Sequence, residues 1–221
     1  MNTRVKSIVP DWKVPDQVHA LVTCRCGGFS KGQYLGFNLA TQVGDNAQAV
    51  SQNRQLLMQE FKLPETPYWL KQTHSTNVIE LPCTQSELLI ESDAAWTNKK
   101  STVCAVLTAD CLPVFFYHAT DKSVAVAHAG WRGLANGIIE KTIRKMTATP
   151  ELLTVWLGPA IGADQFEVGE EVKDIFCKND AEAEQCFTAT RIKKNNQHYL
   201  ANIYRLAIRR LYNSGVSKVT G

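Results

Sequence analysis

The stretch from Val103 to Gly133, VCAVLTADCLPVFFYHATDKSVAVAHAGWRG, constrains the fold more than any other part of the chain. It holds three apolar runs, Val103 to Leu107, Val114 to Tyr117 and Val124 to Ala127, and a polar turn at residues 119–122 separates the last two. Short runs rich in β-branched and aromatic residues, bounded by polar turns, are typical of strands. The stretch therefore predicts three strands, with a turn between the second and the third.

Two polar junctions lie at the ends of these strands. Thr108-Ala109-Asp110-Cys111 follows the first strand, and His128-Ala129-Gly130-Trp131-Arg132-Gly133 follows the third. The second junction leads into a helical pattern of apolar residues at Leu134, Ile138, Ile139, Ile143 and Met146. Glycines let the backbone approach a ligand closely, and a helix N-terminus offers free N–H groups to an anion. A cysteine and a histidine at strand ends thus indicate a site at a cleft.

Composition narrows the class of protein. A chain of 221 residues is long enough to bury most of its apolar surface as one domain. The hydrophobic fraction of 44% and charged fraction of 20% are ordinary for a soluble globular protein, and a net charge of +3 is too small to argue for nucleic acid. No stretch reads as a signal peptide or a membrane span, so we expect a cytoplasmic protein without a membrane partner.

The cysteines do not form a disulfide framework. Seven is an odd number, and no two have the CxxC spacing of zinc ribbons: Cys24, Cys26, Cys83, Cys104, Cys111, Cys177 and Cys186. Most are expected to be small buried hydrophobic residues. Cys111 is the exception, because it follows Asp110 and faces a polar junction.

The N-terminal half carries a glycine-rich loop. A strand over Val18 to Val22 is expected to run into the loop Thr23 to Gly32, which contains Arg25. The loop fits two interpretations, an anion cradle made of backbone N–H groups or a hairpin turn. Beyond it, Asp45 is expected to cap a helix with apolar positions at Ala47, Val50, Leu57, Met58 and Phe61.

Further elements are predicted downstream. Tyr68 to Leu70 is expected to be a short strand that leads to His74, and Leu153 to Leu157 another strand. We expect Glu167-Val168-Gly169 to open a helix with Val172, Ile175 and Phe176 on one face, and Lys178 to Lys194 to be a surface excursion.

Leu200 to Leu211 reads as an amphipathic helix with Ile203, Tyr204, Ala207 and Ile208 inward and its end at Gly215. Val216 to Gly221 looks like a strand that is cut.

Several motifs together resemble one known family. They are Thr23 to Gly32, Leu39 to Asp45, Gln72 with His74, TADCLP at 108–113, HAGWRG at 128–133, and GPAIG at 158–162 followed by Glu167-Val168-Gly169. The chain resembles the YfiH family, also called the laccase-domain or multicopper polyphenol oxidase family and described as purine nucleoside phosphorylases. The resemblance implies an α+β fold, a layered β-sandwich core with helices packed outside, in a single domain over residues 1–221 that is truncated at its C-terminus.

The resemblance also implies a metal site. In it, His74, Cys111 and His128 bind one zinc ion, with copper as a possible alternative. A thiolate and two imidazoles are suitable ligands, and three protein ligands leave a fourth position for water or substrate. Zinc lowers the pKa of bound water enough to make hydroxide available near neutrality. Asp93 and Asp110 are candidates for orienting an imidazole or moving a proton, or they cap turns.

The activity implied by the resemblance is phosphorolysis of adenosine, inosine and methylthioadenosine, together with hydrolytic deamination of adenosine. The expected partners are a purine nucleoside and phosphate, with no nucleic acid, and the protein is expected to be a monomer or a homodimer. Candidate substrate-binding residues are Arg25, Asn38, Gln72 and Arg132. Arg25, Arg132 and the helix N-terminus after Gly133 are candidates for phosphate, although Arg132 could instead form a buried structural salt bridge.

Three alternatives stay open. Two histidines and one cysteine match a blue-copper centre, but a laccase needs about eight more imidazoles and only His19, His118 and His198 remain. A cysteine hydrolase would use Cys111 as nucleophile and His128 as base. A metal-stabilised scaffold would need a fourth protein ligand to close a structural zinc site.

Overall fold

The computed structural model describes residues 5–88, 91–178, 180–193 and 196–221. In these ranges the strands are β1 (Ser7–Ile8), β2 (Val22–Thr23), β3 (Tyr68–Trp69), β4 (Val78–Glu80), β5 (Ala94–Thr97), β6 (Cys104–Ala105), β7 (Leu112–His118), β8 (Ser123–Ala129), β9 (Leu153–Leu157), β10 (Glu167–Gly169), β11 (Phe187–Lys193), β12 (Asn196–Ala201) and β13 (Lys218–Thr220). The helices are α1 (Ala47–Glu60), α2 (Gln85–Leu88), α3 (Trp131–Ala135), α4 (Ile138–Met146), α5 (Glu170–Cys177) and α6 (Ile203–Asn213). Among the described residues, none of these helices combines the length and the apolar character needed to cross a membrane.

A six-stranded sheet forms the centre, in the order β13-β9-β7-β8-β5-β4. The predicted strand, turn and strand are confirmed as β7 and β8, which pair antiparallel from Leu112 with Ala129 to His118 with Ser123. The predicted first strand is confirmed as the shorter β6, which pairs with β3 in a separate two-stranded sheet. The β7–β8 register brings Cys111 and Gly130, which flank the Leu112–Ala129 pair, to the same end of the sheet.

Helices pack against this sheet. The strand β7 is buried at all but one of its positions, as expected for a continuous apolar run that is covered on both faces. The helix α4 contributes the buried side chains of Ile138, Ile139, Ile143 and Met146, and α6 contributes Ile203, Leu206, Ala207 and Leu211 to the same core. The predicted α+β architecture with sheets inside and helices outside is confirmed.

The helical pattern after Gly133 is divided in two. The apolar spacing from Leu134 to Met146 suits one helix, but α3 ends at Ala135 and α4 begins at Ile138. Gly137 between them has a φ of 94°, a left-handed conformation that glycine adopts without steric cost. The glycine therefore changes the direction of the chain between α3, which directly follows Gly130, and α4, which packs on the sheet.

Two predictions for the C-terminal half are wrong. Residues 167–169 do not open a helix but form β10, because they pair with β12, and α5 begins only at Glu170. Val172 and Phe176 are buried as expected, whereas Ile175 is 42% exposed. The polar segment 178–194 lies largely at the surface where its burial is described, with Ala183 and Cys186 buried, and it folds into a 3₁₀ helix at Ala181–Cys186 and strand β11; Lys194 lies outside the described residues.

The start of α1 also differs from the prediction. Asn46, not Asp45, is the N-cap, and its side chain accepts a hydrogen bond from the backbone N–H of Ala49 at 3.0 Å. Asp45 instead accepts hydrogen bonds from Ser30 Oγ at 2.6 Å and Asn38 Nδ2 at 2.9 Å. The strand expected over residues 18–22 is reduced to the two residues of β2.

The glycine-rich loop is a packed turn held by Asn53 of α1. The side chain of Asn53 is fully buried, and its Nδ2 donates to the carbonyl of Asn38 at 2.8 Å and to Ser30 Oγ at 3.0 Å. Its Oδ1 accepts from the backbone N–H of Phe29 at 2.8 Å. Residues Ser30 and Gly36 form an antiparallel bridge across the loop. This geometry favours the turn interpretation of the loop over the anion cradle.

Replacing this amide tests how strongly the loop depends on it. We expect Asn53→Ala to lower the free energy of unfolding by about 3 kcal/mol, because buried backbone and hydroxyl groups lose their partners. The measurement is urea denaturation followed by circular dichroism. Gln52→Ala, at the exposed neighbouring position, is the control and should change stability by less than about 0.5 kcal/mol. Equal effects of the two substitutions would contradict the assignment.

Candidate metal centre

Three side chains from distant parts of the chain converge at one end of the central sheet. His74 lies in the loop after β3, Cys111 directly precedes β7, and His128 lies in β8. Their potential ligand atoms all fall within 4.8 Å of one another, the one such group among the residues described. Cys111 Sγ lies 3.7 Å from His74 Nε2, and the two imidazole rings meet edge to face with centroids 4.7 Å apart.

The buried carboxylate of Asp93 holds the two histidines in place. It accepts five hydrogen bonds: from the backbone N–H groups of Thr73 (3.1 Å), His74 (3.0 Å) and Ser75 (2.7 Å), from Ser75 Oγ (2.8 Å), and from His128 Nδ1 (2.8 Å). Three consecutive N–H groups that converge on one anion form a backbone nest. A single side chain thus ties the loop of His74 to strand β8.

The pKa values of Asp93 and His128 follow from the same hydrogen bonds. Burial raises the pKa of Asp93, but the hydrogen bonds from His128, Ser75 and the backbone outweigh it and hold this pKa at about 2. Burial lowers the pKa of His128, while hydrogen bonds to Asp93 and Cys111 raise it to about 9. A carboxylate this firmly ionised and this fully bonded is poorly suited to carry a proton, whereas its hydrogen bond to Nδ1 fixes the orientation of the His128 imidazole. With Nδ1 engaged, Nε2 is the nitrogen of His128 that remains for a metal.

The backbone of His74 is strained. Its φ of 61° lies in the left-handed region, which few residues other than glycine adopt. Strained residues of this kind persist where the surroundings over-determine them, and here the N–H of His74 is fixed by Asp93 Oδ1. Burial, followed by the charge of His128, lowers the pKa of His74, which favours the neutral imidazole that a metal requires.

Gly130 provides the space between the ligand atoms. A Cβ atom at this position would lie 2.6 Å from His74 Cδ2, 2.8 Å from Cys111 Sγ and 3.0 Å from His74 Nε2. Any larger residue would therefore push into the volume that the three donors surround. A thiolate and two imidazoles, with a carboxylate behind one imidazole, fit the preferences of zinc and also of copper.

The side chains of two predicted substrate-binding residues, Gln72 and Asn38, already form hydrogen bonds within the protein. Gln72 Nε2 donates to the carbonyl of Leu107 at 2.9 Å, and its Oε1 accepts from the N–H of Leu107 at 2.7 Å. Asn38 exchanges hydrogen bonds with the backbone of Ala40 and donates to Asp45. Both amides hold loops in place, and a contact with substrate stays a prediction.

The two predicted arginines are exposed. Arg132 is not the buried salt bridge of the alternative interpretation: its guanidinium stacks on Trp131, 4.3 Å from the ring centroid, and its charge helps to lower the pKa of His74. A cation therefore acts on His74, one of the three candidate ligands. Arg25 lies in the turn described above, where its carbonyl accepts from the N–H of Phe37 at 3.0 Å.

The second predicted carboxylate, Asp110, has different surroundings from Asp93. It is exposed, and no hydrogen bond of its side chain is found among the described residues; its carbonyl accepts from the N–H of Ile161 at 2.9 Å. Orienting an imidazole thus falls to Asp93, while a proton-carrying role for Asp110 stays a prediction. The sequence-based reasoning missed Ser75, whose N–H and hydroxyl both bind Asp93, since a serine after a histidine has no distinguishing pattern.

Known proteins resemble this chain over most of its length. The family described as multi-copper polyphenol oxidoreductase laccase matches residues 19–221. A protein of Haemophilus influenzae named purine nucleoside phosphorylase is 46% identical over 98% of this chain and 87% of its own length. One of Escherichia coli, named purine nucleoside phosphorylase YfiH, is 43% identical over 98% of this chain and 86% of its own.

Solved structures share the fold. A crystal structure of a Neisseria meningitidis protein superposes with a TM-score of 0.87 at 42% identity, covering 97% of this chain and 86% of that one. A hypothetical protein YfiH of Bacillus licheniformis gives a TM-score of 0.80 at 26% identity, covering 93% of this chain and 81% of that one. The resemblance drawn from the motifs is therefore confirmed, and the chain belongs to the YfiH family of multi-copper polyphenol oxidoreductase laccase domains.

Proposed function

We propose that the chain is a purine nucleoside phosphorylase in which His74, Cys111 and His128 hold one zinc ion. The observation that carries the proposal is the convergence of these three donors around the space that Gly130 leaves. The relatives at 43% and 46% identity, named purine nucleoside phosphorylases, supply the class of reaction. The substrates in this proposal are adenosine, inosine and methylthioadenosine, and deamination of adenosine is a second activity.

In phosphorolysis, an oxygen of inorganic phosphate forms a bond to C1′ of the nucleoside. The bond from C1′ to the purine nitrogen breaks, its electron pair leaves with the purine, and the purine takes up a proton while ribose 1-phosphate is released. Zinc, when bound, would supply a Lewis acid that stabilises developing negative charge. The exposed guanidinium of Arg132, stacked on Trp131 beside His74, suits the phosphate dianion.

A cysteine hydrolase is the strongest alternative. In such an enzyme the nucleophile would be Cys111, the base His128, and the carboxylate that orients the base Asp93. His128 forms hydrogen bonds with both of the other two side chains. In that mechanism His74 has no role. Its Nε2 nevertheless lies 3.7 Å from the Cys111 sulfur, and its backbone is held in a strained conformation. A metal site uses all three donors, and we therefore favour it.

The other histidines argue against a multi-copper oxidase. His118 is buried and bonded through Nε2 to Thr149 Oγ1 at 2.9 Å and Thr147 Oγ1 at 3.0 Å. His198 pairs through Nδ1 with Glu167 at 3.1 Å. In the part of the chain that is described, no second group of metal-ligating side chains accompanies the first.

The first test removes one ligand. We expect Cys111→Ala to reduce bound zinc from one ion per chain to less than about a tenth, and phosphate-dependent release of adenine from adenosine to fall by about a thousandfold. Elemental analysis measures the metal, and chromatography separates adenine, inosine and ribose 1-phosphate. Cys26→Ala removes an exposed thiol outside the cluster and should leave both quantities unchanged.

Metal removal separates the alternatives. Full turnover by zinc-stripped protein with Cys111 intact would overturn the proposal in favour of the cysteine hydrolase. Inosine formed without phosphate would report the deaminase activity, and its absence would remove that part of the proposal alone.

A second test concerns Asp93 as a positioning residue. Asp93→Asn keeps the shape of the side chain but removes the charge that three N–H groups and His128 share, and we expect zinc affinity to fall by about 10- to 100-fold. Competition with a chelating dye measures this affinity, and saturating zinc should restore most of kcat. The matched control is Asp45→Asn, a carboxylate with two side-chain hydrogen bonds in the turn held by Asn53. An unchanged zinc affinity in Asp93→Asn would refute this role.

A third test uses the smallest possible addition to the site. In Gly130→Ala the new methyl group would meet His74 and Cys111 at less than 3.0 Å, so we expect zinc binding to be lost while the circular dichroism spectrum is retained. Gly162→Ala is the control, since its Cβ would have no neighbour within 4 Å. Stoichiometric zinc in the Gly130 variant would show that the donors do not surround the ion as proposed.

A further inference from the structure

A cavity of about 300 Å³ is lined in part by residues 108–110, which directly precede Cys111. Its apolar lining includes Ile8, Pro159 and Ile161, and its polar groups include Thr23, Thr108 and Asp110. Thr108 and Asp110 belong to the loop that ends in Cys111, so this loop carries both a metal ligand and a wall of the cavity. A molecule in the cavity would therefore contact the loop that carries Cys111.

The walls of the cavity are fixed by backbone hydrogen bonds. On one side, the N–H of Ile161 donates to the carbonyl of Asp110 at 2.9 Å. Tyr204 of α6 secures the same loop, since its Oη accepts from the N–H of Ala160 at 2.7 Å and donates to the carbonyl of Gly158 at 3.2 Å. On the other side, β1 and β2 pair through Ile8 with Val22. The cavity is thus formed before a ligand enters, as is usual for small-molecule sites.

Its polar groups are not used by the fold. Within the described ranges, the hydroxyls of Thr23 and Thr108 and the carboxylate of Asp110 have no hydrogen-bond partner in the protein. A second cavity, of about 370 Å³ at the start of α1, differs in this respect. Two of its polar side chains, Asp45 and Asn46, are already bonded within the turn and to the helix N-terminus.

We propose that the cavity beside Cys111 binds the nucleoside, with the Asp110 carboxylate accepting hydrogen bonds from the ribose 2′ and 3′ hydroxyls. This inference rests on the proposed function. A carboxylate is a good acceptor for a vicinal diol, as in the acidic residue that binds ribose in dinucleotide sites. The purine ring, flat and largely apolar at its faces, lies against Ile8, Pro159 and Ile161.

The opposite charges of Asp110 and Arg132 favour different substrates. An anionic Asp110 repels phosphate and accepts neutral hydroxyls, whereas the Arg132 guanidinium beside His74 attracts phosphate. The nucleoside therefore enters from the side of Asp110 and phosphate from the side of Arg132. Asp110 acts as a specificity-determining residue for the sugar.

The test compares two nucleosides on the zinc-loaded protein without phosphate. Isothermal titration calorimetry measures Kd for inosine and for 2′,3′-dideoxyinosine, which lacks both hydroxyls. We expect Asp110→Ala to weaken inosine binding by about 10- to 100-fold, since charge-assisted hydrogen bonds are lost, and to leave dideoxyinosine binding within twofold. Asp110 is exposed and makes no side-chain hydrogen bond in the described structure, so the variant is expected to fold. An equal loss for both nucleosides would overturn the ribose assignment.

A second variant blocks the cavity itself. Ala109→Trp adds an indole at an exposed position of the lining and should abolish binding of both nucleosides while zinc stays at one per chain. Gln48→Trp fills the other cavity in the same way and should leave both Kd values unchanged. Unaltered inosine binding and turnover in Ala109→Trp would overturn the cavity assignment alone. If the unmodified protein neither binds inosine nor cleaves it with phosphate, the proposed function itself fails.

Discussion

The buried carboxylate of Asp93 is the interaction on which the site depends. An isolated charge in a protein interior costs several kcal/mol, and only a full set of donors offsets that cost. Here three of the donors are consecutive N–H groups of residues 73–75, which can converge only if the chain turns sharply. The left-handed conformation of His74 and the orientation of His128 therefore have one common cause. Removing the anion would free both imidazoles at once.

The central sheet fixes the positions of Cys111 and Gly130. The pairing of Leu112 with Ala129 sets Cys111 beside Gly130, and the missing side chain of Gly130 keeps the space between the donors open. A rigid pair of strands and a strained loop thus meet at a fixed distance, which is the condition for a preorganised centre. Around it, Arg132 and Asp110 give the surroundings two signs of charge, one suited to an anion and the other to hydroxyl groups.

The sequence predicted those parts of the structure that depend on local pattern. Periodicity located β7, β8, β9 and α6, although α6 begins at Ile203 and not at Leu200, because residues 200 and 201 belong to β12. The glycine at 215 closes α6 as expected, with its N–H donating to the carbonyl of Tyr212. Tertiary pairing decided the rest. Residues 167–169 become a strand because β12 lies beside them, and the helix cap moves to Asn46 because Ser30 and Asn38 engage Asp45. Asp93 accepts hydrogen bonds both from the N–H groups of a turn and from an imidazole, and only the fold brings these two partners together.

The three candidate metal ligands, His74, Cys111 and His128, illustrate the limit of predictions from residue spacing. His74 and Cys111 are 37 residues apart, a separation without a helical or strand period, so the motif resemblance rather than spacing placed them together. The same donor set suits zinc or copper, and for this reason the ligands alone do not identify the chemistry. What distinguishes the functions is the neighbourhood of the ligands. An oxidase that relays electrons needs further imidazoles near the first centre. His118, however, is hydrogen-bonded to Thr147 and Thr149 inside the core. A phosphorylase needs a cation for phosphate and a pocket for a neutral sugar; the charge of Arg132 acts on His74, and the loop that ends in Cys111 lines a cavity.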